Sequence, residues 1–351
     1  MKLIVQIPCH NEKETLQATL ADIPRSIAGI GQVEVLVIDD GSTDQTAQVA
    51  RALGADHVVR HIGNKGLARA FASGIDACLR HGADIIVNTD GDNQYCGTDI
   101  ARLVDPILEG RADIVVGDRG SKTNPHFSIV KKGLQLLGSA VVRRVSGIAV
   151  PDAVSGFRAI SREAALQLNI VSPFSYTIEM LIQAGRKQMA VASVPVRTNG
   201  KTRESRLFGS IPQFLERSLT TMVRMYSMFR PLKLFFAIGL ALSLAGAAPI
   251  IRFAYYYLWE DGGGHIQSLV LGGVLLIIGF VTFMIGLVAD LISFNRQLVE
   301  IALEKIRRIE MQMSIPDDSD AVPGRVTKAE AAVPKAARTV SRDVPCRATK
   351  D

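Results

Sequence analysis

The stretch Ala83-Asp84-Ile85-Ile86-Val87-Asn88-Thr89-Asp90-Gly91-Asp92 decides the fold. A short apolar run opens there into a turn that carries two carboxylates with a glycine between them. Such a pair is a compact hard-oxygen site, suited to Mg²⁺ or Mn²⁺ carrying a diphosphate. An Asp-x-Asp triplet alone is a weak signal, because it also occurs in solvated loops and helix caps. Its company raises it. Upstream, Val33 to Ile38 ends in Asp39-Asp40-Gly41-Ser42-Thr43-Asp44, and Lys2 to Ile7 ends in Pro8-Cys9-His10-Asn11-Glu12. Each run is followed by polar loop residues and then a helical pattern. The repeated strand–helix unit predicts an α/β fold with a mainly parallel, Rossmann-like sheet and helices on both faces. In such sheets ligands bind beyond the carboxyl ends of the strands, where all three clusters would lie.

The segments IPCHNE from Ile7, VLVIDDGSTDQT from Val35, GNKGLARAFASG from Gly63, VNTDGDNQ from Val87 and DAVSGFR from Asp152 occur in this order. Together they resemble the inverting family-2 glycosyltransferases, specifically those like dolichol-phosphate mannose synthase and the polyprenyl-phosphate glycosyltransferases. The resemblance covers roughly residues 1 to 230. It implies a GT-A type fold and transfer of a hexosyl group from a UDP- or GDP-linked sugar to polyprenyl or dolichyl phosphate.

Site residues follow from the residues and the resemblance together. Pro8, His10 and Glu12 stand at the tip of the first strand, in the loop that holds base and ribose in the resembled family. His10 takes the place of the aromatic residue usual there, and Asn11 with Glu12 would equally suit a helix cap. An ionised aspartate is an acceptor only, so one at 39–40 can take the imide N–H of uracil or the N1–H and N2–H₂ of guanine. The resemblance assigns this to Asp40, with Asp39 as the alternative. It places Asp92 and Gln94 on the metal, with Asp90 beside them as a further ligand or on the ribose or sugar, and Gly91 in the same nucleotide-sugar loop. Arg119 ends another apolar run and joins the nucleotide-sugar site. Asp152 corresponds to the family's acceptor-side acid, usually given the role of general base. A lipid phosphate is already anionic near neutral pH, so Asp152 would serve better by orienting the acceptor or a basic partner. Arg203, Ser205 and Arg206 would clamp the acceptor phosphate. The family's usual Arg-x-x-Gly-x-Ser-Lys spacing is not reproduced, which leaves the clamp between Arg197 and Arg203.

The net charge of +6 is concentrated. Arg197, Lys201, Arg203, Arg206, Arg217, Arg224, Arg230 and Lys233, set against Glu204 and Glu216, hold an excess equal to that of the whole chain. A basic segment directly before a hydrophobic span points to anionic lipid or a lipid phosphate. Nucleic acid is disfavoured, because the basic residues are not interleaved with aromatics. The expected organisation is a catalytic domain over 1–208, an interfacial amphipathic helix over 209–230, transmembrane helices over 232–258 and 267–290, a cytoplasmic helix over 291–314 and a disordered tail over 315–351. The connection from Trp259 to His265 has no Lys or Arg, whereas both outer flanks are basic. The positive-inside rule then puts the catalytic domain and the C-terminus in the cytoplasm, in an integral protein of the cytoplasmic membrane. The spans and the helix after them also offer surfaces for a homo-oligomer.

Two other functions compete. A processive polysaccharide synthase of the same superfamily would need a Gln-x-x-Arg-Trp element and more spans, and the one tryptophan, Trp259, lies in the connection between spans. A non-catalytic nucleotide-sugar-binding anchor would not need the acids at 40, 90, 92 and 152 together.

Overall fold

The computed structural model describes residues 1–120, 143, 146–171, 176–199, 227, 231–259 and 265–313. The chain divides into two compact units, Met1–Ser139 with Ile148–Ser205 and Ile306–Asp351, and Ala140–Gly147 with Arg206–Lys305.

In the first unit, β1 (Lys2–Cys9), β2 (Gln32–Asp39), β3 (His57–Arg60) and β4 (Ile85–Asn88) lie parallel, in the order β3-β2-β1-β4. Helices α1 (Leu16–Asp22), α2 (Thr46–Ala52) and α3 (Leu67–Arg80) join them. Leu3 to Ile7 and Val35 to Ile38 are buried at every position, as expected of strands covered on both faces, which read as continuous apolar runs. Each parallel return needs a crossover, and the amphipathic stripe Ala68, Phe71, Ile75, Cys78, Leu79 of α3 covers one face of the sheet.

Beyond β4 the direction changes. Helix α4 (Ile100–Leu108) leads to β5 (Ile114–Asp118), and β6 (Arg158–Ser161) inserts between β4 and β5, antiparallel to both. Helices α5 (Arg162–Gln167) and α6 (Tyr176–Arg186) precede β7 (Val191–Pro195), which pairs in parallel with β5. The seven strands run β3-β2-β1-β4-β6-β5-β7. The sheet is therefore mainly parallel, with one reversed strand that the sequence pattern did not single out. Because β6 runs the other way, its first residue lies at the carboxyl edge, where Arg158 is in register with both Asn88 and Val116.

The last turn of the chain's final helix also belongs to this unit. Arg307 donates to the carbonyls of Leu166 and Leu168 at the end of α5, at 3.2 and 3.0 Å, and Arg308 pairs with Glu163. Arg80 of α3 meets Glu310 at 2.8 Å, and Met311 is buried.

The second unit is dominated by α7 (Pro231–Trp259) and the greater part of α8 (Ile266–Met313), both long and apolar enough to cross a membrane. Their large apolar side chains, among them Leu240, Leu244, Ile251, Ile277, Phe280 and Ile285, are exposed, unlike those of a core helix in a soluble domain. The two helices meet through small residues, with Gly239 packed on the Gly279 carbonyl and Phe236 edge-on to Phe283. Tyr255 stacks on Trp259, and Arg252 lies over the Tyr256 ring at 5.8 Å. One unbroken helix spans the boundary expected at 290–291. The expected interfacial helix at 209–230, apart from Ser227, and the tail at 315–351 lie outside the described residues.

Candidate active site

Four loops meet at the carboxyl edge: 9–15 after β1, 40–45 after β2, 89–96 after β4 and the segment 152–157 that enters β6. The first two brace one another. The amide of Asn11 donates to Ser42 Oγ, the Asn11 side chain accepts from the amide of Thr43, and the amide of Glu12 donates to Thr46 Oγ1. Asn11 has φ +56°, a conformation asparagine tolerates better than most residues. The Glu12 carbonyl accepts from the amides of Thr15 and Leu16 and its carboxylate from Thr15 Oγ1, while Thr15, with no side-chain cap bond, is the N-cap residue that begins α1. His10 donates through Nδ1 to the Asp40 carbonyl at 2.9 Å, which ties its ring to the loop after β2.

Asp40, the residue to which the resemblance assigns base recognition, is buried and fully engaged. Its Oδ1 accepts from His61 Nδ1 at 2.7 Å and the amide of Lys65 at 2.9 Å, and its Oδ2 from the amide of Gly66 at 2.8 Å. It holds the 63–66 turn ahead of α3. Asp39 differs. Its Oδ1 takes the amide of Ser42, while buried Oδ2 has no hydrogen bond and faces Arg60 Nε at 3.2 Å. Of the two carboxylates, Asp39 is the one with an oxygen that accepts no hydrogen bond.

After β4, the Gly91 carbonyl accepts from Thr15 and Thr19 at 2.8 and 3.1 Å. A Cβ at Gly91 would stand 2.8 Å from Cys9 Sγ, so this glycine brings the Asp90–Asp92 loop against the first. Asp92 Oδ1 accepts the amide of Gln94 at 3.1 Å, which turns that loop. Asp90 is half-buried, and desolvation, followed by the charge of Asp92, pushes its carboxyl up to about 7 against the opposing pull of Arg119. Two crowded carboxylates that resist ionising together would be relieved by a divalent cation, so the donor set fits Mg²⁺ or Mn²⁺. Among the described residues no group of three or more His, Cys, Asp or Glu side chains converges. A metal here would depend on a diphosphate and water for its remaining oxygens, as Mg²⁺ commonly does.

Arg119 and Asp152 form a bidentate pair, Nε to Oδ2 at 2.6 Å and Nη2 to Oδ1 at 3.0 Å, with Asp152 fully buried. This geometry gives Asp152 the basic partner that it was expected to orient. Both carboxylate oxygens are engaged by the Arg119 guanidinium in a bidentate pair. Asp152 fixes a guanidinium whose charge acts on Asp90.

The segment from Asp152 owes its shape to residues that sequence reasoning quoted without a role. Arg158, 0% exposed, donates to the carbonyls of Ala153, Ser155 and Thr177 at 2.7 to 2.8 Å. Burial without a bonded carboxylate pulls its guanidinium down to about 10. Asn88 donates to the Gly156 carbonyl at 2.8 Å, and the Gly156 amide donates to Tyr95 Oη at 3.1 Å. A Cβ at Gly156 would lie 3.0 Å from Tyr176 Oη and 3.1 Å from both Asp90 oxygens. Gly156→Ala is therefore expected to cost about 1–3 kcal/mol by overpacking and to impair the site by displacing Asp90. Chemical denaturation and donor binding check it, and a variant as stable and as tight as the parent would contradict it.

Arg197, an alternative phosphate clamp, is committed elsewhere. It grips buried Asp99 through its amide at 2.7 Å and Nη2 at 2.8 Å. Arg203, Ser205 and Arg206 lie outside the described residues.

Comparison with known proteins agrees with this architecture. The profile of glycosyl transferase family 2 matches residues 4–168, which contain every one of these loops. A glycosyltransferase of Mycobacterium bovis without an assigned activity is 34% identical over 60% of this chain and 94% of its own length. The chain belongs to glycosyl transferase family 2. Within the family, this glycosyltransferase is similar to the polyprenol monophosphomannose synthase of Mycolicibacterium smegmatis, at 29% identity over 60% of this chain and 82% of the relative. It is also similar to the UDP-N-acetylglucosamine–dolichyl-phosphate N-acetylglucosaminyltransferase of Methanococcus voltae, at 26% identity over 55% and 83%.

Proposed function

We propose that this family-2 enzyme is a membrane-anchored inverting transferase that moves a hexosyl group from a UDP- or GDP-linked sugar to polyprenyl or dolichyl phosphate. The observation that carries the reading is the convergence of Asp90 and Asp92 with the Arg119–Asp152 pair at one edge of the sheet. Both named relatives act on a polyprenyl-type phosphate but differ in sugar, which supports the acceptor class and leaves the donor open.

In this reading Pro8, His10 and Glu12 border the base and ribose, and Asp39 Oδ2, beside Arg60, accepts a base N–H. Asp92 and Gln94, with Asp90, would hold Mg²⁺ or Mn²⁺, which when bound offsets charge on the departing diphosphate. Arg119, held rigid by Asp152, adds a fixed positive charge beside Asp90. Arg203, Ser205 and Arg206 bind the lipid phosphate. A phosphate oxygen attacks the anomeric carbon opposite the leaving group, a C–O bond forms, and the bond to the diphosphate breaks with its electron pair. An α-linked donor gives a β-linked product, and no proton need be removed from an ionised phosphate.

The anchor reading is supported by the exposed apolar surfaces of α7 and α8. A chain that crosses at α7 and returns at α8 brings residues 306–313 back to the side of the catalytic domain, with which they share a unit. The basic flanks favour the cytoplasm for that side.

The purified full-length protein, given Mn²⁺, undecaprenyl or dolichyl phosphate and a panel of nucleotide sugars, is expected to yield one monoglycosylated lipid by mass spectrometry. Chelation of the metal should lower the rate by about 10³-fold, the several kcal/mol that a metal contributes to charge stabilisation. No glycolipid from any common donor would refute the proposal.

A further inference from the structure

The turn that follows Asp92 is held in part by its own bond, from the amide of Gln94 to Asp92 Oδ1 at 3.1 Å. Asn93 has φ +56°, in the left-handed region, and its Oδ1 is buried with no hydrogen-bond partner. Further restraint comes from the chain leaving β7. Tyr95 and Thr198 form an antiparallel bridge, the amide of Asn199 donates to the Gln94 carbonyl at 2.9 Å, and the amide of Cys96 donates to the Arg197 carbonyl at 3.3 Å. The Asn199 side chain completes the clamp. Its Nδ2 donates to the carbonyls of Asn93 at 3.0 Å and Tyr95 at 3.3 Å, so one amide group straddles Gln94. The Arg197 grip on Asp99, with a further bond to Thr98 Oγ1 at 2.8 Å, keeps this short ribbon from sliding.

We infer that Asn199 is a positioning residue for the donor site. Through the two carbonyls it sets the conformation of the Asn93–Tyr95 turn, and through that turn the placement of Asp92 and Gln94. It also ties the turn to the chain that continues, in sequence, to Lys201, Arg203 and Arg206. The inference rests on the metal and diphosphate reading above. Its chemistry is specific: the position requires a double N–H donor. Aspartate, identical in shape, would present a charged acceptor to two carbonyl oxygens, which is worse than no side chain at all.

The test uses full-length protein in detergent, with Asn199→Ala, Asn199→Asp and the donor-preserving Asn199→Gln. Amide exchange over residues 92–97 is measured without metal, and binding of UDP and GDP is measured by calorimetry with Mn²⁺. Asn199→Ala should speed exchange in that turn and weaken Mn²⁺-dependent nucleotide binding by about tenfold, the equivalent of two modest hydrogen bonds. Asn199→Asp should be weaker still, and Asn199→Gln should recover part of the loss, with exchange across β1, β2 and β4 unchanged throughout. Affinity within twofold of the parent in both Ala and Asp variants would overturn the inference, as would a loss of protection spread over the whole sheet. A parent protein that binds neither UDP nor GDP with Mn²⁺ would instead overturn the site reading on which it rests.

Discussion

Replacing Asp92 by asparagine is expected to lower glycosyl transfer by about 10³-fold while leaving the melting temperature unchanged or slightly raised. Asparagine keeps the oxygen that accepts the amide of Gln94, so the turn is retained. It removes the charge. In the parent that charge helps to push up the Asp90 carboxyl, a mutual repulsion that destabilises the empty site and favours a cation. The variant relieves the repulsion and loses the ligand. A loss of about 4 kcal/mol in transition-state stabilisation corresponds to the three decades expected. Initial rates at saturating donor, paired with thermal melts, separate this outcome from misfolding. Turnover within tenfold of the parent would remove Asp92 from the diphosphate site.

Asp152→Asn is expected to damage both stability and rate. Asp152 is fully buried and Arg119 nearly so, and removal of one partner from such a pair leaves the other charge uncompensated. Breaking a buried pair this way costs about 3–5 kcal/mol. Arg119 would then be free to swing onto Asp90 and compete with the metal. The double variant Arg119→Met with Asp152→Leu should recover much of the stability, because two matched apolar side chains carry no unpaired charge. It should not recover transfer. Denaturant melts across this cycle distinguish positioning from proton abstraction. A general base would give a single Asp152→Asn variant of near-parental stability whose activity alone is lost.

The strands were legible in the sequence because parallel strands covered on both faces need continuous apolar runs, and Lys2 to Ile7 and Val33 to Ile38 are such runs. The two long helices were legible for a similar reason, since about 20 apolar residues are required to span a bilayer. Candidate site residues near strand ends, such as His10, Asp92 and Arg119, were named from that position together with the family resemblance. What escaped was every role that depends on a partner distant in sequence. Asp40 reads as a base acceptor until its carboxylate is seen holding the turn at Lys65 and Gly66, beyond the next strand. Arg197 reads as a free cation until Asp99 is found beneath it. Arg158 gives no sign of its burial, because an arginine is the residue least expected there, and only the carbonyls of Ala153, Ser155 and Thr177 explain it.

The sequence by itself determined the fold class, the two helices long and apolar enough to cross a membrane and the carboxylate pair of the Asp90-Gly91-Asp92 turn, since each is written in local composition and period. The tertiary structure alone decided which of these groups act together. Strand β6 enters the sheet reversed, and that reversal carries Asp152 and Gly156 to the carboxyl edge beside Asp90 and Arg119. Strand direction is set by which long-range pairings bury the most apolar surface and satisfy the most backbone groups, a sum over the whole domain that no local window contains.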